Sequence, residues 1–246
     1  MKKIGIVFAM EQEFLPVQSV LGEFVKKDGG VSDELPPALS ELFTPSPAKP
    51  SGFPVWVYKN GSKIICAVVS GVGQIRAAAA TQLLISKYGA ECILNFGLCG
   101  GLTEGIRTFD TVLVDSVVQA DFDISAGCNY VKGQHGGFGS PYIETDRRLL
   151  EKAIRLAEYP VALCASSDRF VDTREDRIAL NKEFGAHICE MEAAGVILVA
   201  SLNGIPALFV KTVSDSIGGG SAEFFAVADK AVHEYRDFLR KLIREI

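Results

Sequence analysis

Residues Glu91–Phe96, ECILNF, run directly into Gly97-Leu98-Cys99-Gly100-Gly101. The first part is a short, apolar run of the kind that forms a buried strand, and the glycines read as a turn at its carboxyl end. Strand and helix patterns alternate on either side. Upstream, Lys3–Ala9 (KIGIVFA) reads as a strand, and apolar positions from Glu11 to Phe24 recur at helical spacing, with Glu13 near the junction. Val55–Tyr58 and Ile64–Val69 read as strands around an Asn60-Gly61 turn, followed by an Ala- and Leu-rich helix over Arg76–Tyr88. Downstream, strands are expected at Thr111–Asp115, Val161–Ala165, His187–Cys189 and Ala207–Val213. Helices are expected over Thr145–Glu158, Arg174–Phe184 and from Glu190-Met191-Glu192 to Leu202. A C-terminal helix carries Phe224, Phe225, Ala228, Val232, Tyr235, Leu239 and Leu242 at three- and four-residue steps. This alternation predicts an α/β fold, a single layered domain over residues 1–246 with a central mixed sheet flanked by helices.

Two glycine- or proline-rich excursions interrupt the pattern. Pro36, Pro37, Pro45, Pro47, Pro50 and Pro54 mark a long loop over about 28–54, and Gly127–Ser140 forms a second.

Composition narrows the partners. The chain has 246 residues, 48% hydrophobic and 22% charged, with 25 Lys plus Arg against 30 Asp plus Glu and a formal net charge of -5. That is the composition of a packed globular protein rather than a disordered one. A mild acidic excess without a basic run argues against nucleic acid and membrane surfaces as partners, which leaves small molecules. The six cysteines are scattered without a CxxC pair, so neither a disulfide framework nor a zinc site is expected. No charged, then apolar, leader pattern opens the chain, and a cytoplasmic location is expected.

The first candidate motif fails. Gly71-Val72-Gly73-Gln74-Ile75-Arg76 follows a strand as a dinucleotide fingerprint would, but Arg76 stands where the third glycine is needed, and no acid lies near Phe96 to bind a ribose. With that fingerprint broken no organic cofactor is expected, and no metal is expected since His135, His187 and His233 do not cluster. What remains is a set of carboxylates where strands end: Glu13, Glu190, Glu192 and Asp215. Ligand sites in open α/β sheets gather at such ends, although each acid alone also suits a helix start or a turn.

Together with the glycine turns, these acids carry a resemblance. Ile4–Glu13 (IGIVFAMEQE), Ser70-Gly71-Val72-Gly73, Asn95–Gly101, Ser167-Asp168-Arg169-Phe170-Val171, Glu190-Met191-Glu192-Ala193-Ala194 and Ser214-Asp215 stand in the order found in 5'-methylthioadenosine/S-adenosylhomocysteine nucleosidases. These belong to the wider nucleoside phosphorylase family. The resemblance covers nearly the whole chain outside about 28–54. It implies a nucleoside phosphorylase-like fold, a homodimer whose neighbouring subunit completes the 5' pocket, and a place in purine and methionine salvage. It also implies hydrolysis of the N-ribosidic bond of an adenine nucleoside to adenine and the free sugar derivative. Asp215 would protonate the purine at N7, and Glu13 would activate water with Ser70 as its hydrogen-bonding partner. Glu192 would accept from both ribose hydroxyls, Met191 would pack on the sugar, Phe170 would stack on the base, and the Val171 backbone would read the base's edge. Glu190, Ser214 and Lys211 complete the implied binding residues.

Three departures stand out. Lys211 replaces a common Arg and cannot make a planar fork, Leu98 replaces a common Ser, and the Pro-rich segment is long. A phosphorylase using phosphate and a noncatalytic nucleoside-binding protein are the alternatives. An anionic Glu13 would repel phosphate, and Arg76 and Lys211 are the cations expected near the site.

Overall fold

Ten strands form one sheet in the computed structural model, which describes residues 2–28 and 52–246. Most of the Pro-rich segment expected at 28–54 lies outside the described residues. Strand β1 (Lys2–Phe8) pairs in parallel with β4 (Lys63–Val69) on one side and β5 (Cys92–Gly101) on the other. β5 lies parallel to β10 (Ala207–Asp215), which pairs antiparallel with β6 (Thr111–Gln119). β6 is parallel to β8 (Val161–Ser166), β8 is parallel to β9 (Ile188–Glu190), and β9 returns antiparallel to β5. Strands β5, β10, β6, β8 and β9 therefore close a ring. From β5 the sheet continues outward through β1, β4, β3 (Val55–Asn60) and β2 (Glu23–Asp28), while β7 (Tyr142–Glu144) adds to β6. The sheet is mixed, as expected from the alternation of elements. Its closure brings the carboxyl ends of β1, β5, β9 and β10 to one place.

Helices cover both faces because successive strand residues point to opposite sides. On one face α3 (Gln74–Ser86) and α6 (Ala193–Leu202) lay Ala77, Ala80, Leu84, Val196 and Ile197 against Val7, Ile93 and Phe209. On the other, Ile4, Ile6, Phe8, Leu94 and Phe96 meet Phe14 of α1 (Glu11–Phe14), Leu21 of α2 (Gln18–Leu21) and Leu149 of α4 (Arg147–Leu156). They also meet Leu239 and Leu242 of α8 (Arg236–Glu245). A third cluster joins Phe184 of α5 (Arg174–Phe184) to Val118, Ala165 and Val171.

Four expectations need correction. The helix expected over Glu11–Phe24 is broken: a 3-10 turn spans Leu15–Val17 around Pro16, α2 ends at Leu21, and Gly22 turns the chain into β2. Proline cannot supply the interior N–H a longer helix needs. The C-terminal helix divides into α7 (Gly220–Ala231) and α8, with Val232–Tyr235 between them. β2 and β7 were not expected; β2 is exposed along nearly its whole length and shows no alternation to read. Finally, Gly97–Gly101 is not a turn but the buried second half of β5.

Candidate active site

A cavity of about 270 Å³ opens at the shared strand ends, lined among others by Met10, Glu13, Phe170, Met191, Glu192 and Asp215. The glycines of β5 explain how two carboxylates reach it. A Cβ at position 97 would come within 2.7 Å of Glu13 Oε1, and one at position 100 within 3.0 Å of Asp215 Oδ2. Side chains at these strand positions would occupy the space the acids need, so a stretch that resembles a turn is a strand stripped for close approach.

Glu13 is set by backbone. Its Oε2 accepts from the N–H of Ala9 at 2.8 Å and of Met10 at 3.0 Å, and its Oε1 accepts from the Leu98 N–H at 2.9 Å. Tyr235 Oη donates to the Glu13 carbonyl at 2.9 Å, tying α1 to the C-terminal region. Burial pushes the Glu13 carboxyl above its ordinary value, against the pull of the Lys211 charge and the three N–H donors. Ser70 does not meet Glu13: its hydroxyl lies 2.8 Å from the Gly71 carbonyl and 3.2 Å from that of Phe8, so it ties the β4 turn to β1.

Asp215 ends β10 beyond a bulge between Val213 and Asp215, a common device for re-aiming a side chain beside a site. Ser214 Oγ lies 2.6 Å from its Oδ1, and Arg177 Nη2 donates to its Oδ2. Burial raises the Asp215 carboxyl, while Ser214 and Arg177 draw it down.

Glu190, at the end of β9, accepts from the backbone N–H of Glu192 and Ala193 at the start of α6 and from Lys211 Nζ at 2.9 Å. Burial alone would raise this carboxyl, but the Lys211 charge and hydrogen bond outweigh it and hold it below the ordinary value. Lys211 is fully enclosed, and its ammonium is held charged by Glu190, Glu192 and Glu13 against the cost of burial. Glu192 accepts from the Gly73 N–H at 2.8 Å, so it pins the amino end of α3 beside the cavity. Burial, with Glu190 close by, pushes its carboxyl up to about 8. Each of these carboxylates accepts at least one hydrogen bond from the protein.

The structure thus brings Glu13, Glu190, Glu192, Met191, Phe170, Val171, Ser214 and Asp215 to one cavity. Phe170 is 41% exposed and meets Phe224 edge-on at 5.7 Å, which leaves an aromatic face at the mouth. Lys211 stands behind the cavity wall on Glu190, and Ser70 stands apart. Arg76, expected near the site, instead donates to the Ser70 carbonyl. The cations that line the cavity are Arg169 and Arg177. Arg177 is not among the residues the sequence motifs single out, since it sits among charged residues near the start of α5. Its signal was the spacing 177, 180, 184, which puts it on the same face as the buried Phe184 and the partly buried Leu180.

The phosphorylase superfamily profile matches residues 3–244. A 5'-methylthioadenosine/S-adenosylhomocysteine nucleosidase from Treponema pallidum is 32% identical over 195 residues, covering 68% of this chain and 72% of its own. An aminodeoxyfutalosine nucleosidase from Helicobacter pylori is 28% identical, with 100% of both chains covered. A solved 5'-methylthioadenosine/S-adenosylhomocysteine nucleosidase from Helicobacter pylori, bound to an aminopyrrolopyrimidine carrying a thioether-substituted pyrrolidinol, is 25% identical. It superposes with a TM-score of 0.86, covering 100% of this chain and 99% of the other. With a mixed sheet whose strand ends gather paired acids, and a family match over almost its whole length, the chain belongs to the phosphorylase superfamily.

Proposed function

We propose that this chain is a nucleosidase that hydrolyses the N-ribosidic bond of an adenine nucleoside of the methylthioadenosine or adenosylhomocysteine type. The observation that carries this reading is the pair of buried carboxylates, Glu13 and Asp215, in one cavity with different holders. Cleaving such a bond passes through a cation-like sugar and needs a proton for the departing base and a nucleophile at the anomeric carbon. Asp215 is the acid toward purine N7, and Glu13 is the base that orients and deprotonates water. Glu192 takes the ribose hydroxyls, Met191 packs on the sugar, Phe170 stacks on the base and the Val171 backbone reads its edge. Glu190, Lys211 and Ser214 support these groups, and Ser70 acts through the turn after β4 rather than on Glu13.

Water is favoured over phosphate by the same geometry. A phosphorylase must hold a multiply charged anion beside the anomeric carbon, normally with several cations. Here Glu13 occupies that side, Lys211 is committed to Glu190, Arg177 is committed to Asp215, and Arg169 lies 3.5 Å from Asp176. We further infer a homodimer, since Phe225 at the cavity rim is 82% exposed and a second subunit would cover it.

The test is adenine and sugar analysis after incubation with methylthioadenosine, adenosylhomocysteine, aminodeoxyfutalosine, adenosine and inosine, each with and without phosphate. Free sugar at a phosphate-independent rate is the expected product. A ribose 1-phosphate product, or no cleavage of any member, overturns the reading. Light scattering decides the dimer.

A further inference from the structure

Arg177 is wholly buried, yet only one of its acceptors carries a charge. Its Nε and Nη2 donate to the Val171 carbonyl at 3.0 and 2.8 Å, and its Nη1 reaches the carbonyls of Ser216 at 2.6 Å, Asp215 at 3.3 Å and Gly101 at 3.4 Å. The remaining bond, from Nη2, goes to Asp215 Oδ2. One planar side chain from α5 thus joins three segments: the backbone assigned to the purine edge, the end of β5, and the turn bearing the acid. We propose that Arg177 is a positioning residue for Asp215, fixing its Oδ2 and opposing its protonation in the free enzyme, so that the proton delivered to the base is carried on Oδ1. This rests on the hydrolytic reading above.

The choice of oxygen follows from which bond can yield. Arg177 is immobilised by its carbonyls, and moving it from Asp215 would leave a guanidinium buried without a counterion, a costly state. Ser214 can yield: its Oγ also lies 3.1 Å from the Cys99 carbonyl, so its hydrogen can turn there and leave Oδ1 to carry the proton. The charge balance around the acid is small in number. Arg177 from α5 favours the carboxylate, and Glu223 from α7, held as an anion by Thr108 and by the N–H and hydroxyl of Ser216, favours the acid. Cys99 of β5 and Cys189 of β9 also face it, but burial pushes both thiols up, Cys189 to about 12, so they stay neutral.

The pH dependence of kcat/KM for adenine release reports the free enzyme. Losing the acid gives the limb on which activity falls as pH rises. In Arg177→Gln this limb is expected to move up by about one pH unit, the lower end of what one adjacent opposite charge does. The kcat at neutral pH should fall by about tenfold or more, because the carboxyl is no longer oriented. Arg177→Lys should return the limb to near its wild-type position without restoring kcat. An unmoved limb in Arg177→Gln overturns the proposal, since a merely structural role would lower stability or kcat and leave the limb in place. Should Arg177→Gln fail to fold, the infrared difference between wild-type protein and Asp215→Asn at pH 7 decides: a carboxylate band supports the pair, and a neutral carboxyl band overturns it. That spectrum needs no turnover, so it judges Arg177 even if the wild-type protein cleaves no nucleoside and the hydrolytic reading falls.

Discussion

Two carboxylates stand over the same strand, Glu13 above Gly97 and Asp215 above Gly100, and they are held by different materials. Glu13 is gripped by three backbone N–H groups from β5 and the β1 end, which cannot turn away or change charge. Asp215 is gripped by side chains, one a hydroxyl that rotates and one a guanidinium. A base that must remain poised toward water benefits from fixed donors, which cost no reorganisation during the reaction. Asp215, by contrast, has one partner, the Ser214 hydroxyl, that can switch between donating and accepting. The contrast is consistent with the proposed division of roles, Glu13 as base and Asp215 as acid.

The sharpest way to break the contrast is to neutralise each acid. Asp215→Asn keeps the hydrogen-bonding shape but cannot deliver a proton, so turnover should fall by about a hundredfold to ten-thousandfold while adenine still binds. Glu13→Gln should fall comparably, because the amide nitrogen would also meet N–H donors where the carboxylate accepted. Steady-state adenine release measures both. Near wild-type turnover in either variant removes that residue from the chemistry.

Behind the two acids lies an ion pair that neither contrast nor sequence pattern announced. Lys211 and Glu190 are both almost wholly buried, 2.9 Å apart. Lys211→Met would leave Glu190 charged and uncompensated, with a stability loss of about 3–5 kcal/mol expected in chemical denaturation. Lys211→Arg, restoring the side chain common at this position in the resembling enzymes, should lose far less. Equal losses in the two variants would mean that volume rather than charge decides the site.

The glycines test the contrast at the strand itself. Alanine at position 97 meets a carboxylate locked by backbone, whereas at position 100 it meets Asp215 Oδ2 together with Cys189 and Arg177 side-chain atoms at 3.2 and 3.3 Å. Overpacking of this kind typically costs about 1–3 kcal/mol. We expect Gly97→Ala to lose more activity than Gly100→Ala, because a Cβ at position 97 would come within 2.7 Å of Glu13, against 3.0 Å for the nearest atom at position 100. The opposite order would show that the Glu13 loop is the softer of the two.

These residues also show how far the sequence could be read. The strands carrying the site were legible because each is a short apolar run, and the acids because they follow such runs. Gly97–Gly101 reads as a turn because glycine is the residue of both turns and close approaches, and it is the neighbouring carboxylates that distinguish them. The β5–β10 pairing that closes the ring joins segments more than a hundred residues apart and has no local signature. Lys211 falls on the expected strand, but its partner, Glu190, comes from another strand and has no local signature. Ser70 was displaced from its expected bond because the Phe8 and Gly71 carbonyls are nearer acceptors.

The smallest expected effect concerns Glu192, which lies between the two extremes: one bond from the Gly73 N–H, with a buried anionic neighbour, Glu190, close by. Its carboxyl is raised from 4.5 to about 8, by burial first and by Glu190 second. A carboxyl whose pKa is higher in the folded state than in the unfolded one binds its proton more tightly when folded. Its contribution to stability is therefore fully present below about pH 4.5 and is lost as pH rises toward about 8. Glu13 and Asp215 are raised as well and add slopes of the same sign, so the wild-type curve alone cannot isolate Glu192. Comparison with Glu192→Gln can, because the amide keeps an acceptor for Gly73 and has nothing to titrate. The melting temperature of the wild-type protein should fall by several degrees more than that of Glu192→Gln between pH 5 and pH 9, a difference of order 1 kcal/mol or more in a protein of this size. Parallel melting curves across that window would mean that Glu192 is ionised at neutral pH in the folded protein. In that case it would meet the ribose as a carboxylate, and the burial of its charge would have to be balanced by Lys211.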